Sequence, residues 1–269
     1  MDVGKKRRLK RIFGQDGKVV IVPMDHGVTL GPVPGILNMQ DIIDKLSLGG
    51  TDAILIHKGI AKDIDTRGMG LIVHLNASTA LSPNSRLKVK VCSIEQANRL
   101  GADSVSIQIN IGGPEESQML TYMGRVSDKC TTYGIPLLTM IYPQGSSIKN
   151  SHDTKQDSYD TKLIKHAARV GAELGADIIK TNYTGSIETF REVTKTCPVP
   201  VVIAGGPKIN TCGDVLRMVY DSIQAGGVGV AIGRNIFQHK NPTAMAKAIS
   251  AIVHKDASVE EGLRIAGGV

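Results

Sequence analysis

The chain has 269 residues, a formal net charge of +7, 41% hydrophobic residues, 3% aromatics and no tryptophan. Such a chain can bury a sizeable core, but it has little with which to stack on bases or present an aromatic docking patch. Branched aliphatics together with 30 glycines are the usual make-up of an α/β protein built around a buried parallel sheet.

The N-terminus carries GKKRRLKR (4–11), six basic residues in eight positions. A basic run can bind nucleic acid. Here Leu9, Ile12 and Phe13 fall on one helical face, so a short amphipathic helix docked on the domain is expected, with no nucleic-acid partner. No apolar stretch follows that would make a signal peptide, and nothing reaches the length of a membrane span. A soluble, cytoplasmic protein is expected. Cys92, Cys130, Cys197 and Cys212 form no CxxC pair, and free thiols are expected.

Eight short apolar runs follow, each closed by polar residues or glycine: 19–25, 53–59, 70–76, 104–110, 136–143, 176–182, 199–206 and 227–234. Amphipathic stretches separate most of them, and the alternation predicts parallel βα units. Several helices end in a glycine step, as in RLGAD, ELGAD and QAGGVG, the pattern of a glycine-capped helix feeding the next strand. Eight such units in one chain of this length predict a single (β/α)8 barrel over residues 1–269. An open doubly wound sheet is the competitor, but no run is followed by a GxGxxG turn. Between the second and third runs only IAKDIDTRGM intervenes, too short for a full helix, so a loop is expected there. The basic helix would cap the barrel bottom, and PTAMAKAISAIVHK and SVEEGLRI would close the chain.

Barrels of this kind place their chemistry at the C-terminal ends of the strands. Lys180 ends the sixth run, in ADIIKTN, where an ammonium loses hydration. Desolvation and a nearby cation, with Lys208 a candidate, would lower its pKa and free the amine to attack a carbonyl. Tyr142 and Asp25 stand at neighbouring strand ends as candidate proton carriers. The alternative is a buried ion pair between Lys180 and Asp25. Gly205, Gly206, Gly233 and Arg234 end the seventh and eighth runs, where barrels commonly seat a phosphate; the bland alternative is that these glycines only make tight turns. His26 and His57 invite a metal, but they lack ligand spacing and HExxH is absent. No metal and no cofactor are expected.

At these residues the chain resembles a known family. VPMDHGV with its following GP, LIVHLNASTALSPN, YPQG, GAELGADIIKT, VVIAGGPK and GVAIGRNIFQ together resemble the archaeal-type class I aldolases of the DeoC/FbaB group, over residues 6 to 264. The resemblance implies a (β/α)8 barrel and a large homo-oligomer, often a decamer. It also implies a phosphorylated keto-sugar substrate with an aldehyde as co-substrate or product. Lys180 matches the family's Schiff-base lysine, Tyr142 its acid/base tyrosine and Asp25 its catalytic aspartate. Gly205, Gly206, Gly233 and Arg234 fall in its phosphate loops, with Lys208, His26 and Gln144 as further candidates for the substrate pocket. Two activities of the group compete: 2-amino-3,7-dideoxy-D-threo-hept-6-ulosonate synthase, on a route to aromatic amino acids, and fructose-1,6-bisphosphate aldolase. VPMDHG and HLNASTALSPN look more like the synthase branch.

One departure bears on that choice. The family often has arginine where this chain has Gln144, and that arginine is associated with the far end of the substrate. Gln144 weakens the case for a bisphosphate unless Lys149 or Lys155, in a polar segment expected to act as a lid, moves in. More distant alternatives are a phosphate-binding barrel isomerase and a sugar-phosphate sensor without turnover.

Overall fold

The computed structural model describes residues 2–144 and 159–267. Eight strands close into a parallel barrel: β1 (Val19–Pro23), β2 (Ala53–His57), β3 (Gly70–His74), β6 (Ser104–Ile111), β7 (Leu137–Pro143), β8 (Ile178–Thr181), β9 (Val201–Ala204) and β10 (Gly229–Ala231). Their order around the ring is β1, β10, β9, β8, β7, β6, β3, β2. Each corresponds to one of the eight apolar runs. The runs are apolar throughout because both faces are covered. Along β1, Val19 and Ile21 point into the barrel, while Val20 and Val22 face the helices, the two-residue period of a strand.

The helices are α1 (Val3–Leu9), α2 (His26–Leu30), α3 (Met39–Leu48), α4 (Lys58–Ala61), α5 (Ile94–Arg99), α6 (Glu116–Tyr133), α7 (Thr161–Glu173), α8 (Ile187–Thr196), α9 (Cys212–Gln224), α10 (Arg234–Phe237), α11 (Pro242–Lys255) and α12 (Val259–Ala266). Their starts are set by short polar caps: Asn38, Ser93, Asp160, Ser186, Thr211 and Asn241 each accept a first-turn N–H. Ser258 and Glu261 form a reciprocal capping box. None of the described helices is long and apolar enough to cross a membrane. All four cysteines are free thiols.

Two local features differ from expectation. In the second unit a single helical turn, α4, stands where a loop is expected. The third strand stops at His74, and the chain then makes a two-residue antiparallel ladder, β4 (Asn76–Ala77) against β5 (Val89–Lys90). That hairpin has no hydrophobic period to announce it, since β5 is exposed on both faces.

The basic N-terminus is tied to the N-terminal ends of the strands. Lys5 Nζ pairs with Asp177 at 2.7 Å, just before β8, and Arg11 with Asp103 at 2.8 Å, just before β6. Asp177 also accepts the Leu137 N–H, and Asp103 the Leu71 N–H. Leu9, Ile12 and Phe13 pack on the barrel interior. The helix itself ends at Leu9; Ile12 and Phe13 reach the barrel through the turn that follows, whose N–H groups return to the Leu9 carbonyl.

On the same side, His254 of α11 bridges Asp16 and Asp52, at 2.9 Å to each. Its pKa is raised, chiefly by the hydrogen bond to Asp52, against desolvation and with help from Asp16. The imidazolium's contribution to stability is therefore complete below about 6.5, the ordinary histidine value. It fades as pH rises through the raised native value. His254→Gln is expected to lower stability by about 1–3 kcal/mol at pH 6 and by clearly less at pH 9, read from urea unfolding at both pH values.

Candidate active site

A cleft of about 460 Å³ opens at the C-terminal ends of the strands and collects most of the residues singled out in the sequence. Lys180 points into the barrel because Ile178, two residues earlier on β8, does so as well. The β7–β8 register sets Met140 beside Lys180, and the Lys180 Nζ rests 3.7 Å from the Met140 sulfur. Tyr142 lies two residues further along β7, on the same face, and Asp25 follows β1 across the cleft.

Lys180 is 7% exposed and forms no ion pair with any described carboxylate, so the alternative of a Lys180–Asp25 salt bridge is not what the structure has. Burial pulls its pKa from 10.5 to about 8, Asp25 pushes it up, and Arg234 lowers it further. The nearby cation is thus Arg234. Lys208 turns away, donating to the Gln238 carbonyl at 3.1 Å, because the loop after β9 carries it outward. With a pKa near 8, about a tenth of the amine is neutral at pH 7, against roughly 0.03% for an ordinary lysine.

Asp25 is surrounded by bases. His26 Nδ1 lies 3.7 Å from one carboxylate oxygen and His74 Nε2 3.9 Å from the other. Burial opposes the Asp25 charge, but His74, His26, Lys180 and His57 together outweigh it and hold the carboxyl below its usual range. The His74 ring is driven to about 4 by burial, against the pull of Asp25, and burial also lowers His26 and His57. At neutral pH the three rings are therefore uncharged, and the standing positive charge facing Asp25 belongs to Lys180. Burial first, then Asp25 and Tyr159, raise the Tyr142 pKa, so its phenol stays protonated.

The loops after β9 and β10 form the opposite wall. Gly206 has φ 63°, a left-handed conformation that favours glycine. A Cβ on Gly233 would press into the Pro23 carbonyl and lie 2.9 Å from the His26 ring. Gly205 lies against Ile232. The glycines thus do more than turn the chain: they let backbone from two loops approach one point. Asn235 ties these loops together, donating to the Gly205 and Pro207 carbonyls and accepting the Ile209 N–H at 2.7 Å. Arg234 donates to the Gly206 carbonyl at 3.0 Å. Its Nε is buried without a partner among the described residues, as is His26 Nδ1. A buried guanidinium donor beside glycine backbone suits an anion.

Gln144 also lines the cleft, its amide 3.5 Å from the Asn110 side-chain oxygen. Lys149, Lys155 and the expected lid lie outside the described residues. His57 faces an apolar groove beside α2 that Asp25 also lines, and it stacks edge-on against His74 with ring centroids 5.2 Å apart. Among the described residues no group of three or more His, Cys, Asp or Glu side chains is placed to hold a metal ion. His74, Lys88 and Tyr159 are not singled out by the sequence, and Asn235 stands at the end of the eighth run with no role assigned to it. His74 shows the same signal as Lys180, a basic residue ending an apolar run; Lys88 and Tyr159 show none.

The comparisons agree with this geometry. Residues 19–239 match the model of the DeoC/LacD family aldolases. The 2-amino-3,7-dideoxy-D-threo-hept-6-ulosonate synthase 1 of Archaeoglobus fulgidus is 42% identical over 99% of this chain and 97% of its own. The Halobacterium salinarum enzyme named 2-amino-3,7-dideoxy-D-threo-hept-6-ulosonate synthase is 40% identical, with the same coverage. Among solved structures, a Schiff-base-forming fructose-1,6-bisphosphate aldolase superposes with a TM-score of 0.85 at 31% identity, covering 93% of this chain and 100% of that one. With a closed barrel, a buried amine at the end of β8 and this match along most of its length, the chain belongs to the DeoC/LacD family of aldolases, and it is a lysine-dependent enzyme of the class I type.

Proposed function

We propose that the protein makes and breaks a carbon–carbon bond next to the ketone of a keto-sugar phosphate, through an imine on Lys180. The reading is carried by one observation: a buried amine with its pKa near 8, with no carboxylate partner among the described residues, in a cleft whose far wall is shaped for an anion.

Gly205, Gly206 and Gly233 supply close backbone and Arg234 the charge that seats the phosphate, with His26 beside them. The neutral Lys180 amine attacks the ketone carbon, and the carbonyl oxygen leaves as water from the carbinolamine. Asp25 carries the protons between nitrogen, oxygen and solvent. The resulting iminium accepts the electron pair of the bond between the α and β carbons as it breaks, giving an enamine and, from the β carbon and its hydroxyl, an aldehyde. In the condensing direction Tyr142 donates its proton to the aldehyde oxygen; in cleavage it takes that proton back from the substrate hydroxyl.

The activity favoured is that of a 2-amino-3,7-dideoxy-D-threo-hept-6-ulosonate synthase, in which an amino-aldehyde such as aspartate semialdehyde meets the retained enamine. The two synthase relatives and the neutral Gln144 support it. The likeness to a fructose-1,6-bisphosphate aldolase structure supports the second reading. The chain would work as one domain over residues 1–269 in a cytoplasmic homo-oligomer, the decamer of the resemblance being checked by light scattering.

Borohydride trapping with a panel of phosphorylated ketoses tests the chemistry. A substrate-sized adduct mapped to Lys180 is expected, and the ketose that labels best separates the two activities. No adduct in folded protein would remove the imine.

A further inference from the structure

Strands β7 and β8 run parallel with Met140 in register with Lys180, and both side chains line the cleft. Among the described residues, the one hydrogen-bond partner of Lys180 Nζ is the Met140 sulfur, at 3.7 Å. Met140 is itself 3% exposed, so a thioether, rather than water, fills that side of the amine.

A buried ammonium is ordinarily met by oxygen, from a carbonyl, an amide or a carboxylate, each of which stabilises the charged form. A thioether is a weak acceptor on an apolar, polarizable stem. Oxygen is not scarce nearby. Gln108 and Gln144 line the same cleft, but both direct their amides to Asn110. The titratable groups around Lys180 act on it through space, none of them bonded to Nζ. They are Asp25 and His26 after β1, His74 at the end of β3, Lys88 before β5, Tyr142 on β7 and Arg234 after β10. Burial works most strongly against the charge, Asp25 works for it and Arg234 against it. The sulfur adds little on the side of the charge, so burial prevails.

We infer that Met140 is a positioning residue for the lysine chemistry: its sulfur occupies the place beside Nζ where an oxygen would hold the ammonium and withhold the amine from substrate. The inference rests on the imine proposed for Lys180. It goes beyond that reading by assigning the availability of the amine to one neighbouring side chain.

The test follows the titration of Lys180 with a reagent that needs no imine. Trace acetylation by acetic anhydride, mapped to the Lys180 peptide across the alkaline range, gives the midpoint of the neutral amine. Met140→Gln places an amide oxygen beside Nζ, and Met140→Ala opens room there for water. Both are expected to raise the midpoint by about one to two pH units, the scale of a hydrogen bond to a charged group. Their kcat/KM at pH 7 should fall roughly tenfold to a hundredfold, and most of that loss should return by about pH 10. Met140→Leu, which offers neither oxygen nor much space, should keep the wild-type midpoint to within about half a pH unit. Thermal midpoints establish which variants fold, and if Met140→Gln does not, Met140→Ala carries the comparison. An unchanged midpoint in the folded variants, or a rise as large in Met140→Leu, would overturn the inference. So would an activity loss that is the same at pH 7 and pH 10, which would make Met140 a packing residue. Absence of a borohydride adduct in wild type would instead remove the imine, while the acetylation midpoints would still decide what Met140 does to the amine.

Discussion

Lys180→Met is expected to reduce turnover by roughly ten-thousandfold or more, the scale seen when a covalent nucleophile is removed, and to abolish borohydride labelling. The same change should leave the protein more stable. A fall from 10.5 to about 8 corresponds to about 3 kcal/mol against the charged form, at about 1.4 kcal/mol per unit. Methionine removes that penalty and keeps an unbranched chain against Met140. The sign of the pH dependence follows from the lowered native value. Below about pH 8 the folded protein carries the whole penalty; between there and about 10.5 the folded amine is already neutral while the unfolded one still binds its proton, so wild-type stability rises. The gain from Lys180→Met should thus be largest at pH 7 and shrink towards pH 10. For wild type, kcat/KM should climb with pH through about 8, as the neutral amine becomes the dominant form. A variant less stable than wild type, or a flat profile between pH 6 and 9, would contradict this account of the lysine.

The second large effect separates the two halves of the reaction. Tyr142→Phe is expected to lower kcat by roughly a hundredfold to ten-thousandfold, the range for a positioned acid or base. It should still give the borohydride adduct on Lys180. In the proposed mechanism the phenol serves the aldehyde oxygen, not the ketone that becomes the imine. Because burial keeps Tyr142 protonated, it is a weak acid whose conjugate base is strong, matched to an aldol oxygen that is itself a reluctant acid. Loss of the adduct along with turnover would instead place Tyr142 in imine formation. Asp25→Asn offers the contrast, slowing the adduct itself.

Most of the architecture can be read from the sequence because a parallel barrel writes itself in one dimension. Each strand is a short apolar run, and glycine steps such as Leu174–Gly175 mark where a helix turns back to the next. Lys180 was visible for the same reason, as a charge interrupting such a run. What escaped is what depends on partners distant in sequence. Asn235 owes its part to carbonyls near residue 205, and His74 becomes a neighbour of Asp25 only once the ring closes. Lys88 sits in a polar hairpin with no period at all. Lys208 was misplaced for the converse reason: adjacency in sequence to the glycines says nothing about the side on which a loop turns its side chains.

The two walls of the cleft come from separate stretches of chain. Residues 205–238 build the side proposed to seat the phosphate, and residues 76–110 build the side that faces it, with β7 and β8 carrying Tyr142 and Lys180 between them. Mutations in one stretch therefore need not disturb the other. A lineage, or a designer exchanging the 76–90 hairpin between relatives, can alter which aldehyde is accepted while inheriting the anchor and the reactive amine unchanged.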